Sequence, residues 1–135
     1  MLERIPKTIV FIDGRNAIAE AVAYIQGLLV GIHEKYTTNR LDEQFCVQDI
    51  IETYTAHVAE HDRELRYNQF KRLDSKIRII FATTSLGMGI NVSDVSRVVL
   101  WGFPIGKDLG DFWQRIGRGG RGKDIRSTAY IFLPY

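Results

Sequence analysis

Residues 114–122, Gln-Arg-Ile-Gly-Arg-Gly-Gly-Arg-Gly, carry the strongest chemical signal in this 135-residue chain. Arg115, Arg118 and Arg121 recur at every third position, which sets them on one face of a helix or helical turn. A guanidinium is a rigid, permanently charged fork of donors that matches phosphate oxygens. The intervening glycines remove side-chain bulk and let the backbone approach another surface closely. That combination suits stabilisation of the charge on a transferring phosphoryl group. A glycine-arginine string can also be a disordered RNA-binding tail. Here it is enclosed between Phe112-Trp113 and a β-rich run at 128–133, a context that favours a structured site.

The elements that would position these residues are legible in the apolar pattern. Residues 7–12 form a β-branched, apolar run ending at Asp13-Gly14, a buried strand followed by a turn. Ala17, Ile18, Ala21, Val22, Ile25, Leu28 and Leu29 then recur at helical spacing. Gly31, Thr37, Thr38 and Asn39 read as a loop, and residues 41–50 as a further short helix. A strand is expected within 51–58 and a charged surface helix over 60–73, with Leu65, Phe70 and Leu73 turned inward. Further strands are expected at 77–82, 98–101 and 128–133, with a helix over 108–116. Strands alternating with helices imply an α/β fold: a mostly parallel sheet covered on both faces. Ligands of such sheets sit at the carboxyl ends of the strands. The junctions at Asp13-Gly14-Arg15, at 83–91 and before Asp111 are therefore the places to look.

Composition bounds the function from outside. A length of 135 residues fits one compact domain, and 45% hydrophobic with 25% charged residues is the balance of a globular chain with a core. No apolar run is long enough to span a bilayer, and the first residues lack the pattern of a signal peptide. The single cysteine, Cys46, excludes an internal disulfide. An intracellular location is expected: the nucleus in a eukaryote, the cytoplasm otherwise. The net charge of +2 is too small to argue for nucleic acid by itself, and the basic cluster at 115–126 can equally be a solvated face.

Residues 114–122 resemble motif VI of superfamily 2 helicases, Gln or His followed by x-x-Gly-Arg-x-x-Arg. Residues 82–92, with Gly87-Met88-Gly89-Ile90, resemble motif V in the form typical of RecQ-like helicases. Thr8 to Arg15 is similar to motif IV. The order and spacing of all three match that family's second (C-terminal) motor domain over most of the chain, least well from Gly31 to Tyr54. The resemblance implies a RecA-like three-layer sandwich, a P-loop NTPase-type fold lacking its own P-loop, with residues 1–135 as a single domain.

The resemblance also implies roles. Arg118 and Arg121 match the motif VI arginines that reach across the interdomain cleft to the ATP γ-phosphate, with Arg121 as arginine finger. Gln114, Gly89 and Asn91 fall at nucleotide-facing positions. Thr83 matches the motif V threonine that contacts the nucleic-acid backbone, and Ser85 and Arg15 join it as nucleic-acid contacts. The implied cofactors are ATP and Mg2+ in the full-length protein, with none bound by this domain alone. The implied partners are a first RecA-like domain in the same parent chain and single-stranded or duplex DNA, or RNA; no membrane partner is expected.

Blander readings stand beside these. Thr83 and Ser85 can cap a helix as well as touch a backbone phosphate. Arg15 and Arg115 can be surface charges. Met88, Trp101 and Trp113 read as packing residues, and His33, His57 and His61 have neither metal spacing nor a paired nucleophile. Tyr54-Thr55-Ala56-His57 departs from the Tyr-His-Ala-Gly usual in RecQ-like proteins, Asn91 replaces the aspartate common in other branches, and Gly119-Gly120 is looser than the usual pair. No Gly-x-x-x-x-Gly-Lys-Ser/Thr is present, nor an Asp-Glu-x-His or Asp-Glu-x-Asp. The expectation is thus one half of a motor, an excised domain or truncated gene product, inactive as an ATPase alone. The alternative is a non-catalytic RecA-like module that binds nucleic acid or a partner protein.

Overall fold

The computed structural model describes residues 5–36, 49–83, 91–101 and 126–132. Among these residues five strands, β1 (Thr8–Ile12), β2 (Ile51–Tyr54), β3 (Ile79–Ala82), β4 (Arg97–Trp101) and β5 (Thr128–Phe132), form one sheet in the order β2-β3-β1-β4-β5. Every pairing is parallel. Chain order starts at the central strand, runs to one edge and returns past β1 to the other. The expected parallel α/β sheet is therefore present.

Its two faces are filled by alternate residues, as the pleat demands. On one face Val10, Ile12 and Phe81 pack with Ile18 and Leu29 of the helix α1 (Arg15–Tyr36) and with Ile50 and Ile51. On the other, Ile9, Phe11, Ile80, Ala82, Val98 and Leu100 pack with Phe70 of the helix α2 (Glu60–Lys71) and with Ile77, Val92 and Val95. The central strand β1 is buried on both sides throughout, the continuous apolar pattern of a doubly covered parallel strand.

Several expectations are corrected. The helix read from Ala17 to Leu29 begins at Arg15 and continues through Gly31 to Tyr36, so the loop expected at Gly31 is helical. The strand expected over 51–58 stops at Tyr54, because a turn follows in which the Val58 amide donates to the Thr55 carbonyl at 3.1 Å. Phe70 points inward as read, but Leu65 and Leu73 are 48% and 80% exposed: the single large side chain of Phe70 fills the space against the sheet. Trp101 is not a buried packing residue. It is 58% exposed, with its ring 5.3 Å from that of Phe132 at the adjacent strand end. The helix expected at 108–116 lies outside the described residues, as does the one expected over 41–50 except for its last two residues, Asp49 and Ile50.

Candidate nucleotide and nucleic-acid site

Parallel pairing brings all the strand carboxyl ends to one edge of the sheet. The register matches Phe11 with Ala82 and Ala82 with Tyr54, so Thr83 and Thr55 emerge level with Ile12. Asp13, Gly14 and Arg15 follow directly. Adjacent strands lie about 4.8 Å apart, so the β1 and β3 exits are near neighbours.

Gly14 makes the β1 exit possible. Its φ of 138° lies where side chains are disfavoured, and its carbonyl accepts the first bond of α1, from the Ile18 amide at 3.0 Å. The turn is thus tight enough for Arg15 to open α1 at the rim. The first amides of a helix lack intrahelical acceptors, and the helix dipole adds partial positive charge there. Thr83, half-buried, stands at the end of β3.

Asn91 is exposed, and its backbone is held by α2. The Tyr67 hydroxyl lies 3.2 Å from both the Asn91 amide, which donates to it, and the Asn91 carbonyl, to which it donates. Tyr67 leans on Tyr54 at the end of β2, ring centroids 6.4 Å apart, which places Asn91 towards the same carboxyl edge. From Asn91 the chain descends that face, burying Val92 and Val95, to Asp94 at the amino end. There Asp94 pairs with Lys7 at 2.7 Å.

α2 is fixed to the sheet by polar contacts along its length. Arg66 donates to the Thr53 carbonyl at 2.8 Å and pairs with Glu52 at 3.2 Å. Burial raises the Glu52 carboxyl above its ordinary range, against the lowering effect of the Arg66 charge. The fully buried Lys7 ammonium donates to the Phe70 and Arg72 carbonyls at 2.7 and 2.6 Å, capping the helix's last turn with positive charge. Burial pushes the Lys7 pKa down despite the Asp94 carboxylate.

Of the site residues read from sequence, Arg15, Thr83 and Asn91 are therefore placed at one edge. Ser85, Gly89, Gln114, Arg118 and Arg121 lie outside the described residues. Among the described residues no cluster of His, Cys, Asp or Glu could hold a metal ion, and no helix is long and apolar enough to cross a membrane. Tyr67 and Lys7 were not singled out in the sequence. Lys7 had one visible signal: a cation at the head of an otherwise apolar strand.

Residues 1–123 match the helicase conserved C-terminal domain family. The chain belongs to that family. Its relatives include the mouse (Mus musculus) bifunctional 3'-5' exonuclease/ATP-dependent helicase WRN, 36% identical over 79 residues, 58% of this chain and 5% of the relative. The ATP-dependent RNA helicase eIF4A of Meyerozyma guilliermondii is 38% identical over 88 residues, 65% of this chain and 20% of the relative. The chain thus spans only a small part of the curated relatives it matches. Among solved structures, the Mycobacterium smegmatis helicase Lhr bound to ssDNA and AMP-PNP superposes with a TM-score of 0.73 at 19% identity, covering 98% of this chain and 15% of that one. The fold is that of the RecA-like helicase C-terminal domain.

Proposed function

We propose that this chain, as the single domain 1–135, is the second motor domain of an ATP-dependent, RecQ-like DNA helicase. The observation that supports this best is the shared carboxyl edge of Arg15, Thr83 and Asn91, residues of two separate motifs. In this reading ATP and Mg2+ are held chiefly by a first RecA-like domain of the parent protein. Arg118 and Arg121 meet the γ-phosphate from this side, with Gln114, Gly89 and Asn91 lining the nucleotide. Thr83, Ser85 and Arg15 hold one nucleic-acid strand by its phosphates, aided by the amides at the start of α1. Closing and opening of the two halves around ATP then moves the strand. The Gly-Met-Gly-Ile segment, in the form typical of RecQ-like helicases, favours DNA.

The isolated chain provides the first test. It is expected to show no ATP turnover above a blank, with or without nucleic acid. It should bind single strands weakly, DNA in preference to RNA, with log Kd against log salt changing by roughly 1 to 3, since each phosphate contact contributes about 0.7. Turnover that survives repurification and disappears on Arg121→Ala would overturn the single-half reading. Tight, salt-insensitive binding would instead identify a dedicated binding module.

A further inference from the structure

One hydroxyl holds both polar groups of the Asn91 backbone. The Asn91 amide donates to Tyr67 Oη and the Asn91 carbonyl accepts from it, each at 3.2 Å. The amide and carbonyl of one residue lie on opposite sides of its Cα, related through φ and ψ. An atom that bonds both therefore restrains both dihedrals, and with them the direction in which the Cα–Cβ bond leaves the backbone. Tyr67 is itself located by Tyr54, at 6.4 Å with planes inclined at 49°, and by Lys71, whose ammonium lies 5.1 Å from the ring centre. Immediately after Asn91 the chain is fixed again, through Val92 at 1% exposure and through Asp94 on Lys7.

We propose that Tyr67 is a positioning residue for the nucleotide-facing end of the 83–91 segment. Its hydroxyl sets the Asn91 backbone so that the Asn91 side chain is aimed at nucleotide before the motor closes. This rests on the motor reading above and names a residue outside its three motifs. Pre-set geometry at a binding contact lowers the ordering cost of binding, so its loss acts on nucleotide affinity more than on the chemical step.

Tyr67→Phe removes the hydroxyl and keeps the ring. In this chain, amide hydrogen exchange at Asn91 should quicken roughly two- to tenfold, the worth of one hydrogen bond. Exchange at Ile9 and Ile80 in the core strands should be unchanged. In the helicase that carries the domain, the KM for ATP should rise by a similar factor with kcat nearly unaltered. Equal quickening at Asn91, Ile9 and Ile80 would overturn the proposal, because the hydroxyl would then serve global stability. So would a wild-type KM. Arg121→Ala in the same protein separates the two claims. If that variant loses turnover while Tyr67→Phe keeps a wild-type KM, only the positioning role falls. If Arg121→Ala turns over at the wild-type rate, the motor reading and the positioning role fall together.

Discussion

At the scale of single residues, the largest local stake lies far from the carboxyl edge. Lys7 is completely buried, yet its ammonium meets the Phe70 and Arg72 carbonyls, the Asp94 carboxylate and, at 5.4 Å, the Phe70 ring. Lys7→Met keeps the apolar stem but leaves two carbonyls and a part-buried carboxylate without their cation. Removing one partner of such a cluster costs about 3–5 kcal/mol, measurable by urea unfolding. The pH dependence has a definite sign. Burial lowers the folded-state pKa of Lys7 beneath that of an ordinary lysine in the unfolded chain. Between those two values the unfolded chain binds more protons, so the Lys7 contribution to stability grows as pH rises through that window. The stability difference between wild type and Lys7→Met should widen there; a difference that narrows would contradict the assignment. Tyr67 left no signal in the sequence and Lys7 only its place at the head of an apolar run, because their partners lie up to 24 and 87 residues away.

At the scale of elements, apolar runs located the strands well. A run such as residues 8–12 has no other economical use than a doubly buried strand. Ends were less legible. Gly31 read as a stop, since glycine costs a helix up to about 1 kcal/mol relative to alanine, yet α1 runs five residues beyond it. Burial of Ile18 and Leu29 against the sheet anchors the helix, and the local penalty is overridden. A Cβ placed on Gly27 or Gly31 would meet nothing within 4 Å. Gly27→Ala and Gly31→Ala should therefore each stabilise the chain by about 0.5–1 kcal/mol, raising the urea midpoint without altering the slope. Destabilisation by Gly31→Ala would show that α1 does not continue past Leu29. Leu65 fits the helical spacing of α2 but is exposed, since periodicity reports a face and not how far a neighbouring layer extends over it, and Leu73 lies beyond the end of α2 at Lys71, where Arg72 is already extended.

At the scale of the whole molecule, the parallel sheet brings residues of separate sequence motifs to one edge. Residues 13–15, 83 and 91 are scattered along the chain, and only parallel pairing delivers their strand exits to one rim. The fold and this half of the candidate site were legible because each motif adjoins a recognisable strand. The brace behind it was not, because hydrogen bonds between α2 and Asn91 leave no periodic trace. The central claim is that this domain completes a hydrolysis site formed with a first motor half. Its most direct measurement is single-turnover ATP hydrolysis, with nucleotide affinity in parallel, by the helicase carrying this domain. Arg121→Ala should lower the rate by about 10³- to 10⁵-fold while affinity falls far less. Arg121→Lys should recover little, lacking the planar two-point geometry, and Arg118→Ala should also be impaired. Near wild-type hydrolysis by Arg121→Ala would remove the finger assignment, and near wild-type hydrolysis by all three variants would contradict the motor reading.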